Sequence, residues 1–224
     1  MKELIVADLI SKAATPLLSL EFFPPKNLLG FGMLGSTLEI MRSVHPDFVS
    51  ITYGAGGSGR EYSMEASKLL RKLNFSPVVA HLTCVGYSKD DLTEIIQSLY
   101  EDGIRNIMCL RGDPPQGCSS FKAAENGLSY ASDLVTLVKE LHPDICCGVA
   151  GYPEKHTEAV SLEKDIEHLK IKMDAGASFV TTQLFFENDV FYRYRDLCVK
   201  AGISIPIIPG IMPALSIQQI HRMI

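Results

Sequence analysis

Short apolar runs alternate with amphipathic segments along almost the whole chain, and this alternation constrains the fold more than any other feature. Seven runs are β-rich and nearly continuous in apolar residues: 17–23 (LLSLEFF), 47–52 (DFVSIT), 78–83 (VVAHLT), 104–110 (IRNIMCL), 145–151 (ICCGVAG), 178–186 (SFVTTQLFF) and 205–211 (IPIIPGI). Runs of this kind suit parallel strands covered on both faces. Between them lie LGSTLEIMRSV, MEASKLLRKL, DDLTEIIQSLYEDG, YASDLVTLVKEL, LEKDIEHLKIKMDAG and DVFYRYRDLCVKAG, each with apolar residues three or four apart. Ser88 with Asp91, and Ser129 with Ser132 or Asp133, mark helix starts, while Gly103, Gly176 and Gly202 follow helix ends. The strand spacing of about 30 residues is that of one βα unit. The pattern predicts an α/β fold, a (β/α)8 barrel of the TIM type. A doubly wound open sheet is the runner-up, weakened because no G-x-G-x-x-G follows the first strand. The segment KELIVADLISKA reads as an extra helix capping the barrel bottom.

Only seven strand-like runs occur, and the seventh is followed by the helical start LSIQQIHRMI. The expectation is a single catalytic barrel domain, residues 1–224, that lacks its last β/α unit. At 46% hydrophobic residues the chain can build one sizeable core. Its net charge of −5 is scattered rather than clustered, which argues against nucleic acid as a partner. The six cysteines form no C-x-x-C pair, and several sit in apolar runs, as buried thiols of a reducing cytoplasm do. No run approaches the ~18 apolar residues that span a bilayer, so no membrane partner is expected.

In a barrel of this class the chemistry sits at the C-terminal ends of the strands. Glu21, inside LSLEFF, is the most telling residue there. A carboxylate in apolar surroundings is costly unless paired or functional, and its raised pKa suits a general acid. Arg111-Gly112-Asp113 sets a cation, a flexible backbone and an anion at one strand end, suited to an anion or a heterocycle or to a local salt bridge. Gly54-Ala55-Gly56-Gly57-Ser58 permits close backbone approach to a ligand but is not a phosphate loop. His81 and His156 are candidate donors, although a strand histidine is more often a satisfied core residue. Asp165 and Lys172 share a helix face and, from spacing alone, read as surface charge. No histidine pair has metal-ligand spacing, and no G-x-S-x-G supports an acyl-transfer triad. An aldolase needs a Schiff-base lysine on a strand, and no strand here carries one.

Taken in order, LSLEFFPPK, DFVSITYGAGGS, AHLTCVG, NIMCLRGDPP, YASDLV, GVAGYPEKH, DAGASFVTTQLFF and PIIPGIMP resemble the methylenetetrahydrofolate reductase family from about residue 17 to 213. The resemblance implies FAD in a (β/α)8 barrel. It also implies reduction of 5,10-methylenetetrahydrofolate to 5-methyltetrahydrofolate by NADH or NADPH, with ping-pong hydride transfer, within one-carbon and methionine metabolism. By that resemblance Glu21 is the acid that protonates the folate N10, and Asp113 is the carboxylate beside flavin and pterin. Gln183 contacts folate and nicotinamide, Thr52 contacts nicotinamide, and Gln219 contacts folate. The implied FAD contacts are Tyr53, Ala55, His81, Arg111, Gly112, Asp113, Ala131, Tyr152, His156, Ala159, Asp165 and Lys172. His168 and Ile171 stand where bacterial members often carry Asn and Arg. The resemblance further implies a homo-oligomer. A catalytically dead fold that keeps weak FAD or folate binding is the competing reading.

Overall fold

The computed structural model describes residues 4–53, 60–114, 121–213 and 216–220. Seven strands run in chain order: β1 (Ser19–Phe22), β2 (Phe48–Ile51), β3 (Val78–Thr83), β4 (Asn106–Leu110), β5 (Cys146–Gly151), β6 (Ala177–Thr182) and β7 (Ile207–Ile208). All neighbouring pairs are parallel and the sheet order is β1 through β7, a half-barrel wall whose ladder does not close on itself among the described residues. Its helices are α1 (Val6–Lys12), α2 (Leu28–Met41), α3 (Arg60–Lys72), α4 (Lys89–Glu101), α5 (Ala131–Leu141), α6 (Leu162–Asp174), α7 (Asn188–Lys200) and the short α8 (Ile217–Ile220). The barrel-type α/β expectation holds. β1 and β7 are shorter than the apolar runs that announced them.

Alternation along each strand separates two apolar layers. Val49, Ile51, Val78, Leu82, Ile107, Cys147, Val149 and Val180 pack outward against helix residues such as Leu38, Leu70, Ile95, Leu134 and Leu169. Phe48, Val79, Met108, Cys146 and Phe179 point the other way and meet Val6 of α1. The first helix therefore floors the half-barrel, as its sequence suggested. It is bolted there by Asn106, which is fully buried. The Asn106 side chain accepts from the Val6 N–H at 2.8 Å and donates to the Leu4 carbonyl at 3.0 Å.

Helix ends follow local chemistry. Ser88 and Asp91 form a reciprocal capping box at α4. At α5 the N-cap is Tyr130, one residue later than Ser129, because Asp133 accepts from both the Ser129 and Tyr130 N–H groups. Gly103, Gly176 and Gly202 take φ of 83°, 114° and 81° after α4, α6 and α7. After α4 this lets the Ile104 N–H reach the Leu99 carbonyl at 2.9 Å. No helix among the described residues is long and apolar enough to cross a membrane. The five described cysteines are free and buried, and Cys118 lies outside the described residues.

Candidate active site

The inward layer changes character above the floor. Continuing each strand by two residues replaces Phe48 with Ser50 and Val79 with His81, and places Glu21 beside Ser50 in the β1–β2 register. These three side chains meet. Ser50 Oγ donates to Glu21 Oε2 at 3.4 Å, and His81 Nε2 lies 3.5 Å from the same oxygen. His81 has a side chain only 9% exposed, whereas Glu21 is 49% exposed. The carboxylate is thus less buried than its apolar neighbours in LSLEFF suggested, because β1 is an edge of the wall. Partial desolvation still raises the Glu21 pKa, with the Ser50 hydroxyl acting against it. Burial pulls His81 down to about 4, so its ring is neutral at physiological pH. Among the described residues His81 Nε2 and Thr83 Oγ1, two residues further along β3, are buried without a hydrogen-bond partner.

A second group gathers after β4 and β5. Arg111 holds Glu158 in a two-pronged pair at 2.6 and 2.8 Å and lies over the Phe121 ring at 4.8 Å. The guanidinium keeps the Glu158 carboxyl below the usual range. Gly112 has φ 87°, and a Cβ there would lie 2.6 Å from the Val85 side chain. Glu158 in turn raises the pKa of Arg111, and the exposed Asp113 adds to that in the same direction. Tyr152 and His156 meet edge to face at 4.8 Å, and burial pushes the phenol up to about 12. Asp165 is buried and accepts the His156 N–H at 2.9 Å. Lys172 donates to the Ala150 carbonyl at 2.6 Å. Burial brings its pKa down to about 8 against the opposing pull of Asp165. Asp165 and Lys172 are therefore not the surface charges that spacing alone indicated. The Ala159 carbonyl accepts from Lys155 Nζ at 2.6 Å, and Ala131 opens α5.

Other expected residues stand apart from these groups. Thr52 follows β2, donates its N–H to Phe22 and accepts from the Ser63 hydroxyl. Tyr53 shares a 2.8 Å hydroxyl contact with Tyr87. Gln183 is exposed and its Oε1 accepts from the Leu184 N–H. Gln219 lies within α8, and Ala55 lies outside the described residues. Ile171 is 54% exposed on α6. Ser50 and Glu158 were not singled out by sequence. Strand alternation with Phe48 was the available signal for Ser50, whereas nothing local marked Glu158. Among the described residues no group of three His, Cys, Asp or Glu side chains could hold a metal ion.

The residues therefore bring together a carboxyl whose pKa is raised, a neutral imidazole and a strand-end cation–anion–glycine turn, on the C-terminal side of parallel strands. Residues 6–224 match the profile of the family described as Methylenetetrahydrofolate reductase. The 5,10-methylenetetrahydrofolate reductase of Pectobacterium carotovorum subsp. carotovorum is 41% identical over 206 residues, which cover 91% of this chain and 66% of that protein. Its counterpart in Escherichia coli (strain K12) is 41% identical over 204 residues, covering 91% and 67%. Methylenetetrahydrofolate reductase (NADH) 1 of Arabidopsis thaliana is 35% identical over 215 residues, covering 92% and 36%. The chain thus spans about two thirds of the length of these bacterial relatives and about a third of the plant one. Among solved structures, an uncharacterized protein from Clostridium thermocellum, described as binding two copies of 5-methyl-5,6,7,8-tetrahydrofolic acid, superposes with a TM-score of 0.65. The two share 17% identity over 96% of this chain and 72% of that one. A 2,3-dimethylmalate lyase superposes with a TM-score of 0.60 at 10% identity, over 97% and 76%. These two likenesses show the fold alone. The family profile and the 41% identical bacterial relatives establish that the chain belongs to the methylenetetrahydrofolate reductase family of oxidoreductases.

Proposed function

We propose that this chain carries the flavin-dependent reduction of 5,10-methylenetetrahydrofolate to 5-methyltetrahydrofolate, with NADH or NADPH as the source of hydride. The observation that supports it best is the meeting of Glu21, Ser50 and His81 on one wall of the mouth. A carboxyl with a raised pKa retains its proton closer to neutrality, as an acid that protonates a folate nitrogen must. The neutral His81 ring beside it does not hold Glu21 in the ionised form. Asp113, exposed at the end of β4, supplies negative charge for a cationic folate intermediate. Gln183 has an amide edge suited to either flat heterocycle, and Thr52 and Gln219 are the remaining substrate-side residues of the proposal.

The residues present suit FAD. Among the described residues His81 Nε2 and Thr83 Oγ1 are buried polar atoms without partners, and Gly112 turns the backbone at φ 87° where no side chain would fit. These, with Tyr53, Ala55, Arg111, Asp113, Ala131, Tyr152, His156, Ala159, Asp165 and Lys172, would hold the cofactor. When bound, FAD supplies the hydride chemistry, and the protein supplies position and charge. The folate named in the description of the Clostridium thermocellum protein is consistent with this substrate class. Cytoplasmic residence and a homo-oligomeric state complete the proposal.

Glu21→Gln tests the reading directly. In the FAD-loaded protein, flavin bleaching by NADH or NADPH should persist. Reoxidation by methylenetetrahydrofolate should fall about 100-fold or more, the worth of a positioned acid. Loss of both half-reactions would contradict the role given to Glu21. A purified protein that takes up no added FAD would sink the flavin assignment. Bleaching without folate-dependent reoxidation in the parent would favour the catalytically dead alternative.

A further inference from the structure

We propose that Ser50 is a positioning residue for Glu21: its hydroxyl makes Oε2 the accepting oxygen of the carboxyl, so that the transferable proton is carried on Oε1. The inference rests on the reading of Glu21 as the acid.

The argument begins with register. Glu21 and Ser50 are directly paired across β1 and β2, and both occupy the inward face. Ser50 is 9% exposed, in a strand whose other members are Phe48, Val49 and Ile51. A buried hydroxyl is costly unless it is satisfied. Among the described residues its hydrogen bond runs to Glu21 Oε2 at 3.4 Å. His81 Nε2 approaches that same oxygen at 3.5 Å. His81 is the titratable side chain that faces Glu21 within ion-pair distance among the described residues. No described residue engages Oε1.

A protonated carboxyl has two unlike oxygens. One is a carbonyl that accepts hydrogen bonds, and the other carries the proton and donates it. A donor fixed on Oε2 favours the tautomer in which Oε2 is the carbonyl. The proton then resides on Oε1, the oxygen without a protein partner. The same hydroxyl stabilises the carboxylate when the proton leaves, and the Glu21 pKa is held down by Ser50 against the upward effect of burial. Without the hydroxyl, the acid loses both its preferred proton site and some of its readiness to ionise. A serine kept merely as a satisfied core residue makes neither difference.

The decisive measurement needs no cofactor. In protein labelled with 13C at the glutamate carboxyls, the Glu21 resonance is identified by its loss in Glu21→Gln and titrated by NMR. In Ser50→Ala the midpoint should move further upward, and Ser50→Thr, which keeps the hydroxyl, should bring it back. In FAD-loaded protein, Ser50→Ala should slow methylenetetrahydrofolate-dependent reoxidation about three- to tenfold, the scale of one hydrogen bond, and leave nicotinamide-dependent bleaching unchanged. An unmoved midpoint with unchanged reoxidation, in a protein where Glu21→Gln still abolishes reoxidation, overturns the role of Ser50 alone. Intact reoxidation in Glu21→Gln overturns the acid assignment and this inference with it.

Discussion

Acidification should loosen this protein through His81 before it touches most of the carboxylates. The ring lies on the inward face of β3, its side chain 9% exposed, and burial lowers its pKa from the ordinary 6.5 to about 4. Above pH 6.5 the imidazole is neutral in the folded and unfolded chain alike, and burial carries no charge penalty. Between pH 6.5 and about 4 the unfolded chain takes up a proton that the folded chain refuses. Stability present above pH 6.5 is therefore lost as the pH falls toward 4. The gap corresponds to about 3 kcal/mol, or about 6–12 °C in melting temperature for a chain of this size. Glu21 works in the opposite direction, because its raised pKa makes the folded chain the better proton binder. The contribution of His81 is therefore read as a difference between proteins. Thermal melts of the parent and of His81→Gln, run from pH 7.5 to 4.5, should diverge, with the parent losing several degrees more. Parallel curves would refute the reasoning, as would an imidazole 15N titration with a midpoint near 6.5.

Two further outcomes follow from the same physics elsewhere in the fold. Lys172→Met removes a cation that burial disfavours, so it should raise stability by about 1–3 kcal/mol at pH 7. The gain should shrink toward pH 10, where the parent lysine is neutral in the folded chain and increasingly so in the unfolded one; a pH-independent gain in chemical denaturation would show that charge is not its cause. Asn106→Leu orphans the Val6 N–H and the Leu4 carbonyl, at about 1–3 kcal/mol each. Hydrogen exchange at the Val6 amide should then accelerate more than exchange in α4, and equal acceleration at both would mean that Asn106 supports the whole wall rather than the floor.

Most of the architecture was legible because parallel strands buried on both faces leave apolar runs that water-facing segments cannot imitate. The residues that escaped did so for physical reasons. β7 shrinks to Ile207–Ile208 because Pro206 and Pro209 flank it and have no N–H for a ladder. The helix α2 begins at Leu28, six residues before the periodic segment that starts at Leu34, with Asn27 capping it by accepting from the Gly30 N–H. In the site, Glu21 and His81 stood out because ionisable groups in strands are rare. Ser50 did not, since a serine in a strand is unremarked unless the alternation is followed across to its neighbour. Glu158 was beyond reach altogether. It pairs with a cation 47 residues away, and that distance is closed by two loops whose paths no local pattern encodes.

The buried thiols have a practical consequence. Cys84, Cys109, Cys147 and Cys198 lie among the outward-packing residues beneath the helices, and Cys146 lies in the layer above the floor. A thiol-reactive dye reaching these positions must wait for a helix to lift from the wall or for the floor to part. Modification of these cysteines, mapped by peptide mass, thus works as a set of clocks. Four tick with the outer layer and one with the inner, and together they time how the wall comes apart.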